Sequence, residues 1–139
     1  MPAKLYNFAP SGFGFAGVRT FAEQVKDVEC GNFGLFSEID HKTPPAHCEK
    51  GGAAKASTKP EILKYLGESF DYGNRVLAAM TDTSAQVKVQ DPYCGNNTNL
   101  TVAIGAVWHI ADHYGQLAPY LRLNNIVPLP TKQYPSAVR

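Results

Sequence analysis

Apolar residues return every three or four positions in three stretches of the chain, and nowhere else is that rhythm sustained. In the first, Phe21, Val25, Val28, Phe36 and Ile39 mark one face of a segment from Thr20 to Ile39, with Gly31 and Gly34 as weak points inside it. The pattern predicts an amphipathic helix. It opens on "TFAE", a capping box in which the Thr20 hydroxyl serves an early backbone N–H and Glu23 reaches back to the cap. A second capping box, "TKPE", with Pro60 in the first turn, opens a helix over about 59–81 marked by Ile62, Leu63, Leu66, Phe70, Val76, Leu77 and Met80. The third stretch, about 99–124, is apolar over most of its circumference, which predicts a central and largely buried helix capped by Thr98 or Asn99. Asn124 and Asn125 suit a left-handed C-cap, and Pro128 and Pro130 forbid continuation. Pro119 removes a donor and crowds the Gly115 carbonyl, so a kink is expected there.

The intervening text has another character. Residues 1–19 mix prolines, glycines and aromatics without a period, predicting an irregular arm. "DHKTPPAHCEKGGAAKAS" carries a Pro-Pro and a Gly-Gly pair and reads as a loop, and Asp82–Thr98 is polar and ends in the turn residues "DPYCGNNT". No strand is expected. The result is an all-α fold, a single domain over 1–139 with three long helices and a tail over 125–139. Three helices make a thin bundle, and a core of this apolarity ordinarily takes a fourth.

Composition narrows the function classes. A chain of 139 residues suits one domain, and 44% hydrophobic with 18% charged residues is ordinary for a soluble globular protein. A net charge of +1 with scattered Lys and Arg argues against nucleic acid or an anionic membrane as partner. The start lacks the marks of a secretory signal and no apolar run reaches the roughly 20 residues of a spanning helix, so a cytoplasmic location is expected. Cys30, Cys48 and Cys94 are odd in number and far apart, so free thiols are expected rather than disulfides.

The chemistry concentrates in "VWHIADHYGQLAPYLRLNN". His109 and His113 are one helical turn apart and project from the same face, about 6 Å apart at Cβ, which is metal-chelating spacing. Ile110 stands where a zinc peptidase carries its glutamate, so that chemistry is not supported. HxxxH alone is weak, yet two imidazoles on so apolar a helix are costly to bury without a partner. A mononuclear site needs a further ligand, with Asp27, Cys30, His41, His47 and Cys48 as candidates, each of which also has a plain structural or solvated reading.

The ending "WHIADHYGQLAPYLRLNNIVP" resembles the last helix of the DinB-like family, whose name records induction by DNA damage rather than DNA binding. "VRTFAEQVKDVECGNF" resembles that family's second helix and "KPEILKYLGESFDYGNRVLAAM" its third, so the likeness runs from about Pro2 to Pro128. It implies a four-helix bundle of up-down-down-up type holding a divalent metal, zinc or nickel first and iron or manganese next, on three histidines. Two match His109 and His113. At the third this chain has Asp27. Asp27 then substitutes as a ligand, or water fills and weakens the site, or the metal is lost. The first is preferred, since carboxylates bind all four metals.

The family's first helix has no counterpart here. The groove so uncovered would be filled by a partner subunit, giving a homodimer, or by the arm with Tyr6, Phe8, Phe13 and Phe15. The function implied is a metal-dependent enzyme acting on a thiol or other small molecule, either a thiol-dependent transferase or isomerase or a hydrolase. Asp112 is placed to orient a ligand, and Asn32, Tyr114 and Gln116 to line the pocket. The rival reading is a non-catalytic bundle that has lost the metal site.

Overall fold

The computed structural model describes residues 1–12, 14–45, 48, 56–91 and 95–129. Phe13, His47, Cys94, Pro130 and the rest of the tail lie outside them. Three long helices dominate, as the periodicity predicts: α1 (Phe21–Asp40), α2 (Lys59–Ala78) and, after the short α3 (Asp82–Ala85), α4 (Asn99–Leu123). No helix is long and apolar enough to cross a membrane among the described residues.

The chain-end chemistry explains where these helices start. Glu23 accepts from the Thr20 N–H at 2.7 Å while the Thr20 hydroxyl accepts from Glu23 N–H at 3.2 Å. Glu61 accepts from the N–H groups of Thr58 and Ser57. Those backbone bonds hold both carboxyls below their ordinary value. Thr98 caps α4, its side chain accepting from Thr101 N–H, and Asn125 adopts φ 58° just past the helix end. Helix α4 runs on through Pro119 to Leu123.

Two features depart from the sequence reading. Lys88–Asp91 (β1) and Gly95–Thr98 (β2) pair antiparallel, Lys88 opposite Thr98 and Asp91 opposite Gly95. These strands are four residues long and mostly polar, so they carry no alternation to detect; Gly95, the first residue of β2, takes φ 77°, a left-handed conformation that glycine adopts freely. Second, the central helix is α1, not α4. Helices α2 and α4 both pack along α1 and hardly touch each other. One side of α4 is consequently open, with Ile104 61%, Val107 58% and Trp108 70% exposed.

The core falls into two apolar clusters. One gathers Tyr6, Phe21, Ala22, Val25, Ala56, Ile62 and Tyr120. The other gathers Leu35, Phe36, Ile39, Val76, Val89, Val102, Ala103 and Ala106. Between them the middles of α1, α2 and α4 contribute buried polar groups, including Glu29, Asn32, Ser69 and His113. Asn32 donates to the Ser69 hydroxyl at 3.2 Å, joining α1 to α2. The arm, with a 3-10 turn at Ala3–Leu5, lays Tyr6 edge-on to Phe21 and Phe8 edge-on to Tyr120. Its described residues Tyr6 and Phe8 therefore seal one end of the bundle rather than the open side of α4.

Close packing of α2 on α1 depends on Gly73, where a Cβ would overlap the Phe36 ring, whereas nothing lies within 4 Å of one at Gly67. Both glycines are inside α2. In thermal unfolding, Gly67→Ala is expected to raise stability by about 0.5–1 kcal/mol through helix propensity. Gly73→Ala is expected to lower it by about 1–3 kcal/mol through overpacking. Equal effects at the two positions would contradict the packing described.

Candidate metal centre

The polar layer between the two apolar clusters places Asp27 of α1 beside both histidines of α4. Positions 109 and 113 share a face because four residues span little more than one helical turn, and the rings stand 4.5 Å apart at their centroids. Asp27 Oδ2 lies 2.9 Å from His113 Nε2 and 4.0 Å from His109 Nε2. One donor atom from each of the three residues falls within 4.8 Å of the others. Among the described third-ligand candidates, Asp27 is the one brought to the histidine pair; His47 lies outside the described residues. His41 ends α1 in the left-handed conformation at φ 53°.

Cys30 and Cys48 correct the expectation of free thiols: they form a disulfide, with Cα atoms 4.9 Å apart. Cys30 faces inward from α1, and the Pro-rich loop returns Cys48 to it over a separation of 18 residues. Long separation in sequence says little about distance once a loop doubles back. The bonded sulfurs are thereby withdrawn as thiolate ligands.

The two histidines are held by different means. His113 Nδ1 donates to Gln24 Oε1 at 2.6 Å, Gln24 Nε2 donates to Gln116 Oε1 at 2.8 Å, and Gln116 Nε2 donates to Asp112 Oδ2 at 2.6 Å. Each amide uses its oxygen on one side and its nitrogen on the other, so the chain has a single direction and ends on a carboxylate. It places a proton on Nδ1 and turns Nε2 toward Asp27. His109 is positioned by shape: its ring lies on Gly31, where a Cβ would overlap Cε1 and come within 2.7 Å of Nδ1. Its Nδ1 is buried and has no hydrogen-bond partner. Burial first, and the neighbouring His113 second, push the His109 imidazole below the ordinary histidine value, which keeps it neutral with a lone pair to offer.

These residues fit a divalent ion. With Nδ1 of His113 donating to Gln24, Nε2 and Asp27 Oδ2 face each other at 2.9 Å as two acceptors, an arrangement that needs a proton or a metal ion between them. Donors bound about 2.1 Å from a tetrahedral ion stand about 3.4 Å apart, and the separations of 2.9 and 4.0 Å bracket that value. Arg19 Nη1 also reaches Asp27 Oδ2, at 2.6 Å, and the Arg19 carbonyl accepts from Tyr120 Oη at 2.7 Å.

Other expected residues fall into place less uniformly. Asp112 and Gln116 stand at the outer end of the amide chain. Tyr114 lines an apolar groove with Val28, Phe70 and Ile110, and Asn32 belongs to the α1–α2 seam. Arg19, Gln24 and Gly31 are the site residues that sequence reasoning missed. Gln24 and Gly31 stand three and four residues from Asp27, on its side of α1, which is the signal that could have found them.

Comparison with known proteins finds no matching family model and no matching curated sequence.

The packing of His109 on Gly31 makes a double-mutant prediction. Gly31→Ala is expected to cost about 1–3 kcal/mol in the presence of His109. In a His109→Ala background the same change should become neutral or stabilising by up to about 1 kcal/mol, as alanine is the better helix former. Chemical denaturation of the four proteins measures the coupling, and additive effects would refute the contact.

Proposed function

We propose that the protein is a DinB-like metal-binding protein in which Asp27, His109 and His113 hold a divalent ion, zinc or nickel before iron or manganese. The observation that carries this is the pair of acceptors at 2.9 Å, His113 Nε2 and Asp27 Oδ2, with the other imidazole nitrogen committed to Gln24. The bundle of long helices and the seating of His109 on Gly31 support it.

The activity that follows is metal-dependent chemistry on a small molecule, as a thiol-dependent transferase or isomerase or as a hydrolase. When bound, the ion would supply a Lewis acid and lower the pKa of a water or thiol held on it. The chain's own residues do the rest. Asp27 offsets part of the ion's charge, and Gln24 keeps His113 in the tautomer that offers Nε2. The Gly31 surface fixes the plane of the His109 ring. The amide chain from His113 to Asp112 holds the orientation of the His113 ring.

A second reading has its own support. Arg19 and His113 both contact Asp27 Oδ2, so the carboxylate is satisfied by protein groups, as in a bundle that has dispensed with its metal. Elemental analysis of protein purified without added metal separates the two. The metal reading expects near-stoichiometric zinc or nickel, its loss in His109→Ala, and an affinity at least about tenfold lower in Asp27→Asn, the lower end of what even second-shell changes cost. Wild-type protein without metal, or Asp27→Asn with unchanged affinity, removes the His-His-Asp site.

The reading includes a homodimer. Ile104, Val107 and Trp108 form a continuous exposed stripe on α4, joined by Leu77 of α2 across an almost wholly apolar depression, and the described residues of the arm do not cover it. Water contact over such a stripe is costly, and two copies related by a twofold axis would bury it isologously. Light scattering at micromolar concentration should give the dimer mass, with Trp108→Glu shifting it to the monomer. A monomeric wild type sinks this part. The Cys30–Cys48 bond weighs against the cytoplasmic location read from the sequence, since such bonds persist chiefly in oxidising compartments.

A further inference from the structure

Beside the metal centre lies a cavity of about 440 Å³ that the chemistry above does not use. Its walls include Phe15 and Val18 from the arm and Pro119 and Tyr120 from α4, and its lining is mostly apolar. The polar groups that reach it are Arg19, Gln24 and Gln116. Few polar groups on an apolar wall is the make-up of a small-molecule site, and the volume is in the range such sites occupy.

Arg19 joins this cavity to the metal centre. Its backbone is pinned by Tyr120 Oη, which donates to the Arg19 carbonyl at 2.7 Å, and Tyr120 is itself buried in the core. The side chain spends one N–H on Asp27 Oδ2, and a guanidinium has five. Its side chain is 49% exposed and Arg19 lines the same cavity as Phe15 and Val18, which puts the remaining donors within the reach of a ligand held there. Gln24 and Gln116 are committed to the amide chain, which leaves Arg19 as the group able to choose a ligand by charge.

The charge balance sets the sign of that ligand. Without an ion, Arg19 and Asp27 cancel. A divalent ion on Asp27 and two neutral imidazoles adds two positive charges beside Arg19; Asp112 and Glu23, whose carboxyl also senses Arg19, bring two negative ones, and Lys26 beside Glu23 restores one, so the surroundings keep an excess of positive charge. We infer that the cavity takes a small amphipathic monoanion, a carboxylate with an apolar body, whose head pairs with Arg19 and whose body lies on Phe15, Val18 and Pro119. A planar carboxylate matches the fork of a guanidinium in two parallel bonds. The inference deepens the metal reading and rests on it for the excess charge that strengthens binding.

Calorimetry on the zinc-loaded full chain tests it, with octanoate and octanamide as probes of equal length and different charge. Octanoate is expected to bind at least tenfold more tightly than octanamide, and more tightly with zinc than without. Arg19→Gln should lose the preference for octanoate. Phe15→Ala should weaken octanoate while leaving acetate unchanged. Equal affinity for octanoate and octanamide in the wild type overturns the proposal, as does a preference that survives in Arg19→Gln. If Arg19→Gln does not fold, the wild-type comparison and Phe15→Ala decide the matter. Zinc content is read separately: a wild type that holds no zinc yet prefers octanoate loses the metal and keeps the cavity, whereas one that holds zinc without that preference keeps the metal and loses the cavity's assignment.

Discussion

Helix α1 bears the weight of the molecule, because α2 and α4 each pack on it and hardly on each other. Every side of α1 that faces a neighbour is therefore committed. Its ends contribute Phe21, Val25, Leu35, Phe36 and Ile39 to the two apolar clusters. Its middle carries Gln24, Asp27, Glu29, Cys30, Gly31 and Asn32, which make the polar layer and the tether to the following loop. Apolar clusters on both sides make that layer rigid and partly dry, a setting in which a carboxylate and two imidazoles interact far more strongly than in water. The same arrangement leaves α2 and α4 as the rims of an open side, so the placement of the site and the exposure of Trp108 have one cause.

Much of the helical frame was legible in the sequence, for reasons that are local. Capping boxes at Thr20 and Thr58 use only residues within one turn, so they survive whatever the rest of the chain does, and both starts were correct. The same holds for Thr98 and Asn125 at the ends of α4. What failed was non-local. The apolarity of α4 reads as depth, yet here it is partly surface, since burial depends on which neighbours are present and not on the helix's own composition. The β1–β2 hairpin is short and polar, and its pairing is held by backbone groups that every residue possesses. The Cys30–Cys48 bond depends on the path of an 18-residue separation that no spacing rule describes.

The candidate site was legible in outline and not in detail. Two histidines four apart on one face declare themselves by geometry, whereas Asp27 was one of five candidates for the further ligand until a resemblance to a family singled it out. Composition left Asp27 as a solvated helix charge. The residues that distinguish a held imidazole from a loose one, Gln24 and Gly31, carry no chemical signature in a sequence: one is an amide and the other lacks a side chain. Their roles appear only when α1 and α4 are brought together.

The line of amides from His113 through Gln24 and Gln116 to Asp112 behaves as a polar wire with its outer contact in solvent. An amide cannot exchange its oxygen and nitrogen without rotating, and each link here forbids rotation of the next. One proton on a buried ring thus lies at the inner end of a chain whose outer end is an acceptor on the surface of the same helix, one residue away in sequence and two amide side chains away by way of α1. The chain holds one histidine of the pair and not the other, for His109 Nδ1 has no hydrogen-bond partner and rests on Gly31 instead.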